Sequence, residues 1–238
     1  MIDKIINYFK RNNSEEINDY YSKKYESKLY KKYGDCNPFT KKIRILAIAD
    51  THGTLDEDKF KEFIKYNNTY DLVVMIGDHY TRDIDIIVDN VDKNKLVGIL
   101  GNHDYDYLSE YNIPNINGKI ININGVKILG MQGSFKYKQV DFPSFTQEES
   151  ISFLNQFESV DILISHDKKF DPDKLKDPAH QGLIGITNYI YEKRVPYHIH
   201  GHIHESFHKE MLNKTKEISV FGYEMIDLNT EKIYRWRI

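Results

Sequence analysis

Three short apolar segments, each followed at once by a polar turn, constrain the fold of this chain most strongly. The segments are 43–48, 72–76 and 96–100, and helical patterns at 57–66 and 83–91 separate them. Nearly continuous apolar strands that alternate with helices are typical of a parallel sheet covered on both faces. The pattern predicts an α/β domain whose polar turns lie beyond the carboxyl ends of the strands, where open α/β sheets bind their ligands.

The second half of the chain is richer in predicted strands. Two helices are predicted there, at 146–157 and 181–193, and Asn124-Gly125 is a strong signal for a type I′ hairpin. The predicted strands are 119–123, 126–131, 162–165, 197–200, 207–212, 218–225 and 232–237. Neither an internal repeat nor a low-complexity linker divides residues 43–238 of the sequence.

The length and the charge of the chain limit what it can be. Its 238 residues, of which 40% are hydrophobic and 29% charged, are enough for one substantial domain with a proper core. The net charge of −3 gives no overall attraction to nucleic acid or to an anionic membrane, so any binding of a polyanion has to be local.

The number of cysteines and the length of the apolar runs indicate in which cellular compartment the protein is expected. Cys36 is the only cysteine, which excludes an intramolecular disulfide and a zinc site built from cysteines. The longest apolar runs have the length of strands, and the first ten residues lack the continuous apolar core of a signal peptide. We therefore expect a cytoplasmic protein with no membrane-spanning segment.

The amino-terminal segment differs from the rest. Apolar residues recur at helical spacing at 2–9 and again at 17–29, so two short amphipathic helices are predicted before residue 34. Through residue 42 the segment carries ten Lys or Arg against six Asp or Glu. This basic, Tyr-rich stretch is either a platform for nucleic acid or a helical face that packs on the domain or on a second chain, as in a homo-oligomer. We divide the chain into a helical arm, 1–40, and a domain, 41–238.

Five polar clusters carry the chemistry of the sequence. Each is common when taken alone, and a single histidine in such a position is most often an ordinary polar residue. The clusters are Asp50-Thr51-His52, Gly77-Asp78, Gly101-Asn102-His103-Asp104, His166 and Gly201-His202-Ile203-His204.

Together, in this order and after these strands, the five clusters resemble the signature of the calcineurin-like metallophosphoesterases. The resemblance covers about residues 43–238 and leaves the arm outside. Residues 178–182 and 196–204 look most like small single-domain bacterial and phage members of that superfamily. The resemblance implies a four-layer α/β/β/α sandwich, in which two mixed sheets lie face to face with helices outside.

The resemblance also implies a centre of two divalent cations, bridged by Asp78. By the same resemblance, the first cation is also bound by Asp50, His52 and His204. The second cation is also bound by Asn102, His166 and His202. Such a centre clamps a phosphoryl group and activates a bridging water as hydroxide. The ligand types suit Mn²⁺, Fe, Zn²⁺, Co²⁺ or Ni²⁺ without choosing among them.

Further residues have expected roles in catalysis or in substrate binding. His103 matches the family position that contacts the phosphate and protonates the leaving group, and Asn102 would also face the substrate. Asp104 is either a carboxylate that orients His103 or an ordinary turn residue. Arg82 is either a phosphate contact or a surface ion pair with a neighbouring Asp. His200 either contacts the substrate or supports the ligands by hydrogen bonds.

The expected activity is hydrolysis of phosphomonoesters or phosphodiesters of small molecules or nucleotides. A nuclease is the alternative within the same chemistry, although the 34 residues after the last expected ligand leave no room for the capping domain of the repair nucleases. A binding protein without catalysis is a further alternative, disfavoured because all expected ligands and His103 are present. The sequence has no phosphate-binding loop, dinucleotide fingerprint or nucleophile elbow, so kinases, dehydrogenases and esterases have no support.

Overall fold

Two β-sheets packed face to face and flanked by helices make up the chain in the computed structural model, which describes residues 15–138, 142–228 and 232–236, with side chains at 24–138 and 142–228. The helices are α1 Glu15–Tyr33, α2 Glu57–Tyr66, α3 Thr81–Asn90, α4 Tyr107–Glu110, α5 Gln147–Leu154 and α6 Ile184–Glu192. Single turns of 3₁₀ helix lie at Lys93–Lys95, Pro172–Lys174 and Pro178–His180.

The strands form two large sheets and one small pair. They are β1 Arg44–Ala49, β2 Leu72–Met75, β3 Leu96–Gly98, β4 Ile120–Ile123, β5 Val126–Met131, β6 Ser134–Phe135, β7 Ser144–Phe145, β8 Ile162–Ser165, β9 Tyr197–His200, β10 Phe207–Glu210, β11 Lys216–Ser219, β12 Gly222–Asp227 and β13 Lys232–Trp236. The first sheet has the order β13-β12-β1-β2-β3 and the second β10-β11-β9-β8-β5-β4, while β6 pairs with β7.

Both large sheets are mixed. In the first, β1, β2 and β3 run parallel, and β12 and β13 run antiparallel beside them. In the second, β5, β8, β9 and β11 run parallel, while the outer strands β4 and β10 are antiparallel. The predicted parallel order of the first three strands is confirmed.

Alternation along the strands produces the four layers. On β1, Ile45 and Ala47 face a buried apolar cluster shared by the two sheets. Leu46 and Ile48 point to the opposite face, where they pack with residues of α2, α3 and α4. On the second sheet, Leu163 packs outward with residues of α5 and α6. Successive strand residues point to opposite faces, so each sheet packs against the other sheet on one face and against helices on the other. The expected α/β/β/α sandwich is confirmed.

Local signals explain several element boundaries. Thr146 and Glu149 form a reciprocal capping box that starts α5, so this helix begins next to its predicted first residue. Asn124 and Gly125 both have positive φ, at 52° and 83°, as a type I′ turn requires. The predicted hairpin between β4 and β5 is therefore confirmed.

The predicted strand 218–225 is wrong as a single element. The chain there forms two strands, β11 in the second sheet and β12 in the first, so it crosses from one sheet to the other. Gly222 opens β12 with φ 84°, a left-handed conformation that glycine adopts without steric strain. A continuous apolar pattern does not reveal such a crossing, because both halves are buried strands.

The described part of the arm packs on the domain. Helix α1 places Leu29 and Tyr30 against the apolar cluster outside the second sheet, and Tyr25 against Phe170. Tyr25 also donates a hydrogen bond to Asn188 of α6. The predicted first helix, at 2–9, lies outside the described residues.

A partly buried ion pair reinforces this packing. Glu26 of α1 pairs with Lys169, whose side chain is 13% exposed, and accepts a hydrogen bond from the Tyr191 hydroxyl at 2.6 Å. Replacing Glu26 by Gln leaves the Lys169 ammonium without its carboxylate. We expect Glu26→Gln to lower the free energy of unfolding by about 1–3 kcal/mol in urea denaturation.

A matched control uses an exposed pair. Glu57 and Lys61 form an i,i+4 ion pair on the surface of α2, and such pairs contribute little. Glu57→Gln should change the free energy of unfolding by less than about 0.5 kcal/mol. Equal losses for the two variants would show that the arm adds nothing through Glu26.

No helix in the described part of the chain combines the length and the apolar character that crossing a bilayer requires.

Candidate metal centre

The five polar clusters of the sequence meet at one edge of the sandwich. Asp50, Asp78 and Asn102 follow β1, β2 and β3, which are parallel neighbours in the first sheet. His166 and His202 follow β8 and β9, parallel neighbours in the second. Parallel strands present their carboxyl ends at the same edge, so the topology brings side chains distant in sequence into one place.

The backbone at these positions is strained. Asp50, His52, Asp78, His202 and His204 all have positive φ, between 46° and 71°. A left-handed conformation costs a residue other than glycine about 1 kcal/mol or more, and such strain concentrates at functional sites. Five strained residues among the predicted ligands indicate that the loops are shaped for the placement of side chains.

The first group of candidate ligands consists of Asp50, His52 and His204, whose ligand-type atoms lie within 4.8 Å of one another. The Nε2 atoms of the two histidines are 3.0 Å apart. The Asp50 Oδ1 atom lies 4.0 Å from the Nε2 atom of His52 and 3.8 Å from that of His204. The three side chains converge on one point at the rim, since both histidines are partly exposed.

The second group consists of Asp78, His166 and His202, which are buried and converge in the same way. The Nε2 atom of His166 lies 3.6 Å from Asp78 Oδ2 and 3.1 Å from Asn102 Oδ1. The same Asp78 Oδ2 is 3.8 Å from His52 Nε2 of the first group. One carboxylate oxygen therefore faces both groups.

Each buried carboxylate has one oxygen held by the backbone and one left over. Asp50 Oδ2 accepts the N–H of His202 at 2.7 Å, and Asp78 Oδ1 accepts the N–H of His103 at 2.9 Å. Asp50 Oδ1 and Asp78 Oδ2 accept no hydrogen bond from the described residues, although both atoms are buried. A buried anionic oxygen without a partner is costly unless a cation is present. This pair of oxygens fits the predicted cations.

Electrostatics of the two carboxylates support the same view. Burial, together with the neighbouring Asp78 carboxylate, raises the pKa of Asp50 well above its ordinary value. Burial also opposes ionisation of Asp78, but two effects outweigh it: attraction to His166, which is protonated only in the acid range where Asp78 titrates, and the N–H of His103. The pKa of Asp78 is therefore lowered. Two adjacent carboxylates can both be ionised here if positive charge lies between them.

Hydrogen bonds orient the two buried histidines as ligands. The Nδ1 atom of His166 donates to the Ile76 carbonyl at 2.8 Å, and the Nε2 atom of His202 donates to the Ala179 carbonyl at 2.7 Å. The other ring nitrogen then carries a lone pair that can bind a cation, as is usual for metal-bound histidine. Burial lowers the pKa of His166 to about 4, so its ring is neutral, which is the form that binds metals.

Asp104 holds loops together instead of facing the solvent. Its Oδ2 atom accepts the N–H groups of Asp78 and Gly101, at 2.8 and 2.7 Å, and its Oδ1 atom accepts the N–H of His79 at 2.9 Å. Because both of its oxygens accept hydrogen bonds from the backbone, the geometry favours Asp104 as a residue that stabilises the turn and not as a carboxylate that orients the His103 ring. Glycine is required at position 101, where the two loops approach each other, because a Cβ atom there would lie 2.1 Å from Asp78 Oδ1.

His103 stands at the mouth of the centre. Its side chain is exposed, and its ring centroid lies 6.0 Å from that of His52. The backbone N–H of His103 is fixed to Asp78, so the residue is anchored while its imidazole is free to meet a ligand. That position suits a group that contacts substrate and is not itself a metal ligand.

Two further residues, each with a possible substrate contact among its expected roles, make other contacts in the structure. The Arg82 guanidinium donates to the carbonyls of Gly53 and Leu55, at 3.3 and 3.0 Å, and lies 3.5 Å from Asp83. Arg82 therefore stabilises the loop after β1. Its contact with Asp83 favours the ion-pair role over the phosphate contact. The His200 ring is completely buried away from the centre, so direct contact between it and a substrate is not supported.

Sequence reasoning missed the part that Asp83 plays. This carboxylate is completely buried and accepts the N–H groups of Gly53, at 2.6 Å, and Leu55, at 3.3 Å. It thereby shapes the loop that carries His52. No local pattern identifies such a residue, because its partners are backbone groups about thirty positions earlier.

Comparisons with known proteins identify the family and the fold of the chain. A sequence model of the family described as calcineurin-like phosphoesterase matches residues 43–206. A search of curated proteins finds no match. Among solved structures, the protein TT1561 of Thermus thermophilus is 14% identical, with TM-score 0.54 over 81% of this chain and 97% of that one. The phosphopantetheinyl hydrolase PptH of Mycobacterium tuberculosis is 14% identical, with TM-score 0.54 over 77% and 91%.

At such identities the solved structures establish the fold alone, whereas the family match covers well over half of the chain. The matched segment begins one residue before β1 and includes every predicted metal ligand. This chain therefore belongs to the calcineurin-like phosphoesterase family and is a metal-dependent phosphoric ester hydrolase.

Proposed function

We propose that this chain hydrolyses phosphomonoesters or phosphodiesters of small molecules or nucleotides at a centre of two divalent cations. The proposed ligands of the first cation are Asp50, His52, Asp78 and His204. The proposed ligands of the second are Asp78, Asn102, His166 and His202. One observation carries the proposal: the buried Asp78 Oδ2 accepts no hydrogen bond from the described residues and faces both groups of ligands.

The chemistry needs both positive charge and a nucleophile. A pair of bound cations supplies Lewis acidity toward the phosphoryl oxygens and lowers the pKa of water toward neutrality. Asp50 and Asp78 are the only anionic residues among the proposed ligands, so they leave much of the cationic charge uncompensated. The protein thus attracts a phosphate to this edge even though its net charge is −3.

The residues around the ligands have separate tasks. His103 is proposed to contact the phosphate and to give a proton to the leaving oxygen, which is a contribution of about 10²- to 10⁴-fold in rate. Asp104 is proposed as a positioning residue, because its three backbone hydrogen bonds join the loops of Asp78 and Asn102. Asp83 is proposed to position His52 in the same manner.

Exposed aromatic rings beside the centre support nucleotides as substrates. Tyr80 is 55% exposed and meets the edge of the His52 ring, with 6.1 Å between centroids. Phe221 is 38% exposed and stacks on His204 at 5.4 Å. Both rings contact histidines of the first group, so a phosphoester bound there would lie beside partly exposed aromatic rings. A nucleobase stacked on such a face gains about 1–3 kcal/mol.

The division into two parts is proposed as well. We infer a helical arm, 1–40, and a catalytic domain, 41–238. Two observations support this division: the family match begins at residue 43, and α1 lies outside the sandwich, against α6.

A panel of esters tests the proposed function. We expect the wild-type protein with Mn²⁺ to hydrolyse bis-p-nitrophenyl phosphate or p-nitrophenyl phosphate, and to act on 5′-nucleotides or on 2′,3′- or 3′,5′-cyclic nucleotides. Preferential cleavage of DNA or RNA would instead indicate a nuclease. Hydrolysis of none of these with any divalent cation would indicate a binding protein.

The aromatic rim gives a sharper prediction within the panel. Removing the exposed ring in Tyr80→Ala should raise KM for the best nucleotide substrate by about 5-fold or more, because stacking with the base is lost. The KM for p-nitrophenyl phosphate should change less, since its ring is smaller than a nucleobase. Tyr66→Ala is the control, because Tyr66 is 70% exposed on α2 and should not affect either KM. An unchanged nucleotide KM in Tyr80→Ala would exclude stacking on this ring.

A further inference from the structure

A third group of candidate ligands lies outside the centre described above, on the outer face of the second sheet. His198 and His200 are two residues apart on β9, and Glu217 of the adjacent strand β11 is paired with His198. The intervening Ile199 points to the core between the sheets, so the three polar side chains share the opposite face. Their ligand-type atoms lie within 4.8 Å of one another, and none of the three residues is more than 1% exposed.

Hydrogen bonds fix the tautomer of His198. The Ser165 hydroxyl donates to the Asp167 carbonyl at 2.6 Å, which uses its only proton. The same hydroxyl lies 2.7 Å from His198 Nε2, so it accepts from that nitrogen. The Nδ1 atom of His198 then carries a bare lone pair. This atom is buried and finds no hydrogen-bond partner in the described part of the chain.

The same reasoning applies to His200. Its Nδ1 atom lies 3.0 Å from the Gly201 carbonyl oxygen, an acceptor, so Nδ1 carries the proton. In the neutral ring the Nε2 lone pair faces Glu217 Oε1 at 3.3 Å. Among the described residues neither atom has a hydrogen-bond partner. Three electron-pair donors are therefore buried facing one another, an arrangement that is costly unless positive charge lies among them. The ammonium groups of Lys169 and Lys209 attract the Glu217 carboxylate, but neither donates a hydrogen bond to the two histidine nitrogens.

We propose that His198 Nδ1, His200 Nε2 and Glu217 Oε1 bind a divalent cation, at a site separate from the two-cation centre. Two imidazoles and one carboxylate are a ligand set that suits Zn²⁺ or Co²⁺. In a tetrahedral zinc site with bonds of about 2.0–2.1 Å, ligand atoms lie about 3.3 Å apart. The separation of 3.3 Å between His200 Nε2 and Glu217 Oε1 equals this value.

A bound proton in place of a divalent cation explains the arrangement of His198, His200 and Glu217 less well. A proton on His200 Nε2 would form an ion pair with Glu217, but it would leave His198 Nδ1 without a partner. A second proton, on His198 Nδ1, would place two charged imidazolium rings in a buried site with their centroids only 4.9 Å apart, which like-charge repulsion disfavours. Lys209 lies 3.3 Å from the other oxygen of Glu217, Oε2, and its side chain is half exposed, so it leaves Oε1 to the histidines.

The site has a structural role in this proposal. A cation there joins β9 to β11 at the position just before Gly201 and His202. It therefore fixes the start of the loop that carries two proposed ligands of the two-cation centre. Phe207 packs against the His200 ring, with centroids 5.9 Å apart, and helps to exclude water.

Cobalt binding tests the proposal without reference to activity. Metal-stripped Asp78→Asn protein, in which the two-cation centre is disabled, should still bind one Co²⁺ per chain tightly and show the strong visible bands of four-coordinate cobalt. Adding Glu217→Gln or His198→Gln should abolish these bands and lower the bound metal by one equivalent. In His198→Gln the amide can keep the hydrogen bond to Ser165 while the ligand atom Nδ1 is lost, which limits damage to the fold.

The cobalt experiment has its own control and its own contrary outcomes, separate from those of the ester hydrolysis experiment. Glu210→Gln removes an exposed carboxylate from β10 and should leave the bands intact. Absence of bound Co²⁺ in Asp78→Asn alone, or bands that persist with either added substitution, would overturn the third site and identify the group as a buried ion pair. Hydrolysis of phosphoesters by the wild-type protein bears on the two-cation centre alone, so failure of one proposal does not imply failure of the other.

Discussion

Asp78→Asn is expected to weaken both proposed cation sites together and to lower the turnover of bis-p-nitrophenyl phosphate by about 10³-fold or more. The physical reason is that Asp78 Oδ2 faces both ligand groups, at 3.6 Å from His166 and 3.8 Å from His52. An amide in its place has no negative charge, and the cations contribute several kcal/mol to the reaction. Elemental analysis after dialysis and the rate of ester hydrolysis measure the two effects.

The surface of the same region supplies a control for this substitution. Asp85→Asn changes an exposed carboxylate on α3 that accepts a hydrogen bond from Tyr111 at 2.7 Å. We expect it to keep both cations and full turnover. If Asp78→Asn loses a single cation and keeps the other at wild-type affinity, Asp78 does not bridge the centre.

His103→Ala is expected to keep the cations while turnover falls by about 10²- to 10⁴-fold. The exposed imidazole is placed to donate a proton and to contact the phosphate, and general acid catalysis contributes an effect of this size. Metal content by elemental analysis separates this role from ligation. His202→Ala is the comparison, because it removes a buried proposed ligand and should lose metal. Metal loss in His103→Ala equal to that in His202→Ala would show that His103 is a ligand.

Much of the fold was predictable because its signals are local. The strands β1, β2 and β3 are short apolar runs, each followed by a polar turn, and the hairpin at Asn124-Gly125 depends on two adjacent residues. The crossing between sheets near Gly222 was not predictable, since buried strands in two different sheets look alike in sequence. Their separation depends on which neighbours pair with them, which is information from elsewhere in the chain.

The candidate site shows the same limit. Resemblance to the family indicated the ligands, and the topology explains why side chains as distant as Asp50 and His204 converge. The tasks of Asp83 and Asp104 depend on backbone N–H groups of other loops, which no residue pattern encodes. His200 is a further example, because its closeness to the motif in sequence left two roles open, contact with the substrate or support of the ligands by hydrogen bonds. Strand alternation instead turns it to the outer face of the sheet, beside Glu217.

We propose that bound cations at this edge make the chain a phosphoesterase. The most direct measurement is hydrolysis of bis-p-nitrophenyl phosphate and p-nitrophenyl phosphate by wild-type protein and Asp78→Asn, before and after removal of metal and after addition of Mn²⁺. We expect the stripped wild-type protein to be inactive, Mn²⁺ to restore its activity on at least one ester, and Asp78→Asn to stay inactive throughout. Hydrolysis that persists without metal, or that Asp78→Asn retains at the wild-type rate, would show that the reaction does not depend on cations held by Asp78.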